Sequence, residues 1–420
     1  MFIQIHLDIS KRFDLKTTNT HIMKTLHLIV FIPSLIFILS CSPPDRPQGS
    51  VHLADTLVSY RTYAAPEWTN LFYRNEGWFG ADGVFTVTLS GNENIGAGKE
   101  DSVFMYFSDT MTGKVIGDSA VQNFKMVNNS FAWVREASHE KLTLFLKRNK
   151  KGEAVSYFYP NTPDTQDGEY YWFGDAFVNQ EDDHSINIFG YRVFDNSEAS
   201  WDFEIRGVTL ITIPWNSSPP FDNHEQIDLP LFMDIDSLGT GTFGSAVYVN
   251  TKEAGAPDPD GYLYIYGLVD PGKNLVVSRV KPSMIKDPKS WRFWNGSDWD
   301  IDINQVRPIT DRVSNEVSMT PLKDGRYLLV FQLDGIGEYT CVRIAESLTG
   351  PFGPIQKIWH VPEITEPPGI IPYNAKAHPV LSDANRLLIS YNTITFDYFN
   401  DILKYPHSYR PRFFWLEIGK

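Results

Sequence analysis

A polar residue returns at one position of a repeating strand pattern along this chain. The five places read GADGVFTV (Gly80–Val87), WFGDAFV (Trp172–Val178), FGSAVYV (Phe243–Val249), VSNEVSM (Val313–Met319) and NAKAHPV (Asn374–Val380). Their polar members are Asp82, Asp175, Ser245, Glu316 and His378. Each is followed by a strongly aliphatic or aromatic run, such as YLYIYG, RYLLVFQ or RLLISYN. Starts roughly 60–95 residues apart fit a β-propeller with uneven loop insertions. In such a wheel the innermost strands converge on an axis. Polar side chains far apart in sequence would then meet in one central funnel.

The rest of the chain supports an all-β reading. No stretch past residue 45 sustains an apolar i, i+3, i+4, i+7 stripe over three turns. Strand-like runs are dense, and Asp260-Gly261, Pro271-Gly272, Lys323-Asp324-Gly325 and Asp334-Gly335 punctuate them. Three units, about 243–300, 312–360 and 373–418, share one grammar: a small or polar inner strand, a turn, a hydrophobic strand, a further strand and a closing Trp or Phe. Two more decorated units cover about 78–160 and 170–230. The expected fold is a five-bladed β-propeller with a central funnel, spanning 67–420 as one domain. A segment before Trp78 would pair in the last blade and close the ring.

The first 41 residues resemble a bacterial lipoprotein leader. Met23-Lys24 is a short basic region and Leu26–Leu39 an apolar one, closely followed by Pro43-Pro44. Ile38-Leu39-Ser40-Cys41 resembles a lipobox, which makes Cys41 the lipidated residue. Residues 42–66, with four Pro, read as a flexible tether. The expected protein is an exported lipoprotein of a Gram-negative bacterium, held at the outer membrane or cell surface. It is expected to act as a monomer. Cys341 is the only cysteine beyond the leader, so no disulfide framework exists and this residue reads as core filler.

The formal net charge of −14 argues against a nucleic-acid partner. It does not argue against neutral sugars. Sugar sites combine aromatic platforms with carboxylates, and the chain has 11 Trp, 20 Tyr and 28 Phe. G-x-S-x-G and the P-loop are both missing, as is any paired His spacing. Asp298, Asp300, Asp302 and Asn304 alternate but lack the Gly and distal Glu of a calcium loop. No metal or cofactor is expected.

Asp82 and Asp109 are the leading catalytic candidates. Asp82 opens the first inner strand, and Asp109 ends the next, VFMYFSDT. If 84–89 and 102–108 form a hairpin, the two carboxylates lie at one strand end. Their repulsion can raise one pKa and so supply an acid and a base. As turn residues they would merely cap strand ends. Glu316 is either desolvated and functional or paired with a cation such as Arg312. Asp175 sits at the analogous place in another unit, or is a turn Asp. Asn374, Lys376 and His378 occupy alternate positions, so an unbroken strand points them one way, towards funnel or solvent.

Taken as a set, GW-FGADG, FMYFSDT, YYWFGDAFV, YLYIYG, WRFWNGSDW, VSNEVSM and YNAKAHPVLS resemble a family of bacterial exported proteins known as a domain of unknown function. That family is similar to five-bladed endo-D-arabinanases and more distantly to arabinanase and xylosidase propellers. The resemblance covers about 67–420. It implies a glycoside hydrolase site in the funnel, with Asp82 and Asp109 matching the catalytic carboxylates. Ser108, where relatives usually carry Gly, and the long 90–101 loop are departures. The implied substrate is an extracellular polysaccharide or oligosaccharide, with an arabinan-like furanoside polymer the leading candidate. Asp175, Glu316, Asn374 and His378 would bind sugar hydroxyls or tune pKa, and Trp78, Trp172 and Tyr373 would be stacking platforms. A non-catalytic glycan-binding lipoprotein using the same funnel is the alternative. A protein-interaction propeller, which would line its funnel with apolar groups, ranks below both.

Overall fold

The computed structural model describes residues 56–419 apart from 58, 198–200 and 368. The leader and Cys41 lie outside the described residues. Among the described residues no helix is long and apolar enough to cross a membrane.

The chain is nearly all-β. Five antiparallel meanders of four or more strands follow one another. The first runs Phe85–Thr88, Ser102–Phe107, Ser130–Arg135, Leu142–Phe145. The second runs Tyr170–Val178, Ile186–Asp195, Phe203–Ile213, Glu225–Leu229. The third places Phe232–Ile235 at one edge, then Gly239–Asn250, Tyr262–Asp270, Asn274–Val280 and two short strands ending at Asp300. The fourth is Val317–Pro321, Tyr327–Gln332, Tyr339–Ala345, Gln356–His360. The fifth is Ile371–Ala377, Arg386–Ile394, Arg412–Ile418, and its last strand is Tyr60–Ala64 from the start of the chain. Tyr60 pairs with Ile418 and Ala64 with Phe414. Residues 60–64 of the expected tether are therefore a strand; period-2 pairing to a buried partner outweighs the Pro content around it.

Apolar faces pack between consecutive sheets. Phe104 and Tyr106 of the first meet Phe173 and Ile188 of the second. Further cores join the second to the third, the third to the fourth and the fourth to the fifth. Leu388, Phe413 and Trp415 of the fifth pack in turn on Val103, Met105 and Phe107 of the first. Each fully buried aromatic or aliphatic side chain contributes about 1.5–3 kcal/mol, so these seams hold the sheets face to face. Cys341 lies in the seam between the third and fourth sheets, and burial pushes its thiol up to about 12.

The strands Phe85–Thr88, Tyr170–Val178, Gly239–Asn250, Val317–Pro321 and Ile371–Ala377 carry or adjoin the five polar positions. In three of them a bulge interrupts the ladder at the same place: between Phe173 and Ala176, Phe243 and Ala246, and Tyr373 and Lys376. A bulge re-aims a side chain. The bulged pairs are Gly174-Asp175, Gly244-Ser245 and Asn374-Ala375, so Asn374 stands where the other two have Gly, Ala375 where they have Asp175 and Ser245, and His378 falls outside the bulge.

A polar hairpin, Thr110–Ile116 with Ala120–Val127, is inserted between the second and third strands of the first sheet and pairs with Glu76–Ala81. Nothing in its sparse apolar pattern marks it as strand. It matters because it turns the chain immediately after Asp109.

Candidate functional site

The hairpin of Phe85–Thr88 and Ser102–Phe107 pairs Phe85 with Tyr106. Continuing that register three residues outward sets Asp82 opposite Asp109. The backbones confirm it: the Asp82 N–H donates to the Asp109 carbonyl at 3.1 Å, and the Ser108 N–H to the Asp82 carbonyl at 2.9 Å. Gly83 makes the turn possible, with φ of +63° and a space in which a Cβ would sit 2.7 Å from the Ser108 hydroxyl. Ser108 also accepts the Phe173 N–H at 2.9 Å, so the residue that departs from the resembled family ties the first sheet to the second.

Both carboxyls sit in poor solvent. Asp109 is buried. Asp82 keeps a little contact with solvent, yet protein surrounds it. The Tyr373 hydroxyl donates to Asp82 Oδ2 at 2.8 Å, while Oδ1 has no partner. Desolvation raises Asp82 to about 6, against the opposing pull of Tyr409 and Tyr373. Desolvation and then the Asp82 charge push Asp109 well above the ordinary carboxylate range. Asn128 donates to Asp109 Oδ1 at 3.1 Å. The Trp172 indole N–H lies near enough to favour the charged form, short of good hydrogen-bond geometry.

Glu316 joins the pair from the fourth sheet. Burial, then the Asp82 charge, hold its carboxyl well above the usual range. Asn374 donates to its Oε1 at 2.7 Å, and Oε2 is buried without a partner. No ion pair forms with Arg312, which instead meets Asp334 at 2.7 Å. Two buried carboxylate oxygens on neighbouring groups therefore await hydrogen-bond donors, and a ligand rich in hydroxyls supplies them.

Three expected site residues are placed elsewhere. Trp78 is buried in the core against Phe72 and Phe107, with its N–H on Ser130; it is not a platform. His378 is wholly buried, one ring nitrogen facing Thr86 at 3.0 Å and the other Ser390 at 2.7 Å. Burial and the nearby Lys376 lower it to about 3, so it is a neutral structural link. Asp175 accepts Lys376 Nζ at 2.8 Å and the Val247 N–H at 2.9 Å on Oδ2, and the Ala176 N–H on Oδ1. Lys376 also donates to the Val317 carbonyl at 3.0 Å. Side chains and backbone from four sheets thus meet at one ion pair, which is architectural.

Tyr373 serves through its hydroxyl on Asp82, and Trp172 remains half-buried beside Asp109. Sequence reasoning missed Tyr409 and Asn128, which bond Asp82 and Asp109, and Tyr398 and Tyr170, whose phenols lie close enough to feel the Asp109 charge. Tyr409 and Tyr398 lie in the irregular 395–411 segment, where no strand pattern signals a role. Asn128 looks like an ordinary turn Asn.

The long 90–101 loop follows Phe85–Thr88 at the end away from Asp82, where Glu93 N–H bonds the Ala254 carbonyl and Gly96 N–H that of Pro379. Burial, with Asp175 next, raises Glu93 to about 8. Its folded form holds a proton more tightly than the unfolded chain. Stability is therefore highest below about pH 4.5 for this group and is lost as pH rises through 8. Glu93→Gln, which imitates the protonated acid, is expected to flatten the fall in melting temperature between pH 5 and 8. An unchanged slope would show that Glu93 is not the group responsible.

Among the described residues no cluster of His, Cys, Asp and Glu is arranged to hold a metal ion. A family profile described as a domain of unknown function, DUF5005, matches residues 66–417. No curated protein matches the chain. A solved structure of a provisionally assigned hydrolase from Bacteroides ovatus is similar in fold, with a TM-score of 0.63 at 19% identity, covering 84% of this chain and 90% of that one. Looser likenesses include a levansucrase variant from B. subtilis (TM-score 0.47, 12% identity, 85% and 89% covered). Another is an α-L-arabinofuranosidase from Clostridium thermocellum (TM-score 0.42, 12% identity, 75% and 82% covered).

Proposed function

The chain belongs to this family of unknown function, and on that premise we propose that it is a glycoside hydrolase acting on an extracellular polysaccharide through a carboxyl pair. The five meanders are read as five blades of one propeller, with the pair at one mouth of an axial funnel. Supporting this are the packing of the last sheet on the first and the four-sheet junction at Lys376. The leading substrate is an arabinan-like furanoside polymer. A lipid on Cys41 would hold the domain at the cell surface, close to such polymers.

The observation that carries the reading is the Asp82–Asp109 junction: two carboxyls on hydrogen-bonded neighbours, both with raised proton affinity, Asp109 the more so. In this reading Asp82 serves as the ionised partner and Asp109, held well above the ordinary carboxylate range by burial and the Asp82 charge, as the protonated one. Asp109 then gives its proton to the glycosidic oxygen as that bond breaks. Asp82 takes a proton from the water that attacks the anomeric carbon, which gives inversion. Tyr373 orients Asp82, and Glu316 accepts or donates a hydrogen bond to a sugar hydroxyl.

Glu316→Gln keeps the shape and neutrality of the protonated acid, so it is expected to cost about tenfold or less in kcat/KM. A complete loss would make Glu316 the proton donor in place of Asp109. The alternative reading, a glycan-binding lipoprotein without catalysis, draws on the same two orphaned oxygens. New reducing ends after long incubation with arabinan support hydrolysis; tight binding without them supports the alternative.

A further inference from the structure

A cleft of ≈ 270 Å³ lies at the other end of the strands from the carboxyl pair. Asn250, which lines it, ends the inner strand of the third sheet. Tyr327, also lining it, pairs with Pro321, the far end of the strand that Glu316 precedes. Five strand residues separate the two places along that strand, roughly 16 Å.

One wall is aromatic. Trp294 and Trp299 meet edge to face at 5.3 Å, and Tyr264 meets Trp299 at 5.7 Å. Both Trp rings remain partly exposed. The Arg279 guanidinium sits 4.3 Å from the Trp299 ring and 4.4 Å from that of Tyr262, which stiffens the wall. The polar side is rich in acceptors, with the hydroxyls of Ser347 and Thr349 beside them. Asn250 is 3% exposed and its Oδ1 has no partner. Asp258 and Glu346 stand exposed at the lip. No Lys or Arg is among the lining residues.

Such a lining needs a ligand that offers an apolar face to the rings and hydrogen-bond donors to the acceptors. Anions are disfavoured by the carboxylates. An organic cation is disfavoured because the Arg279 guanidinium already sits over the Trp299 and Tyr262 rings. A sugar ring, with C–H groups on its face and hydroxyls at its edge, satisfies both walls. We propose that this cleft is a second glycan-binding site, taking an uncharged, hydroxyl-rich sugar unit. It extends the hydrolase reading, in that it would hold a remote stretch of the same polymer. Two attachment points raise the effective concentration of polymer at the carboxyl pair without a new contact there.

The test is affinity electrophoresis of the full chain in gels containing arabinan, xylan, galactomannan or polygalacturonate. Retardation by at least one neutral polymer and none by polygalacturonate is expected. Trp299→Ala should weaken that retardation about tenfold or more, and the exposed Asp258→Ala severalfold. Hydrolysis of short oligosaccharides by both variants should stay within about twofold of wild type, since these cannot span both places. Unchanged retardation in both variants, no retardation by any neutral polymer, retardation by polygalacturonate alone, or displacement by tetramethylammonium would each overturn the proposal. Retardation lost with Trp299→Ala in a protein that releases no sugar would keep the cleft and remove the hydrolase. Unchanged retardation in an active protein would remove the cleft alone.

Discussion

Asp82→Asn is expected to lower hydrolysis by about 10²–10⁴-fold while stabilising the fold. The loss follows from removing the base. The gain follows from burial: the Asp82 carboxyl is raised from 3.8 to about 6, so the folded protein resists its ionisation. Below about pH 4 both states hold the proton and the penalty is absent. It grows as pH rises towards 6 and is fully present at pH 7. An amide escapes it, which is worth on the order of 1–3 kcal/mol at neutral pH. Thermal melts of the two proteins should therefore converge at pH 4 and separate at pH 7. Asp109→Asn should lose as much on natural glycosides but far less on an aryl glycoside with an acidic phenol, because that leaving group needs no proton. Equal losses on both substrates would take the acid role from Asp109.

Lys376→Met should be the most damaging substitution for stability. The ammonium is 5% exposed and its Asp175 partner 10%. Removing one partner of a buried pair leaves a desolvated charge and costs about 3–5 kcal/mol. Asp175 would keep only two backbone N–H donors. Adding Asp175→Asn to Lys376→Met should recover a large part of the loss in a denaturant titration. Recovery by the double variant separates an unpaired charge from a simple packing defect, which the second substitution would not repair.

The hairpin that joins Asp82 to Asp109 was legible because antiparallel register fixes what faces what, and the turn residues bound both strands. The strands that carry Asp175, Ser245 and Asn374, and those that follow Asp82 and Glu316, were legible for the same reason, as period-2 runs between Gly and Asp turns. The phase of the fifth was not. Alternation across Asn374, Lys376 and His378 assumes an unbroken strand, but Asn374 adopts a φ of +53° within a bulge. The bulge sends Asn374 to Glu316 and Lys376 to Asp175, and leaves His378 beyond the strand in the core. Trp78 misled because an aromatic beside a catalytic motif reads alike as platform or core. Its neighbours Phe72 and Phe107 decide the matter, and they come together only in the fold. Tyr409 reaches Asp82 from an irregular segment held close by Gly80, where a Cβ would clash with the Tyr409 carbonyl. No local pattern encodes that approach.

Chromatography of products released from plant, fungal and bacterial-wall polysaccharides by the purified protein bears most directly on the carboxyl pair. Wild type should release oligosaccharides from at least one neutral polymer, and Asp82→Asn and Asp109→Asn should release them at least about 10²-fold more slowly while remaining folded. Equal release by wild type and either variant would contradict the assignment.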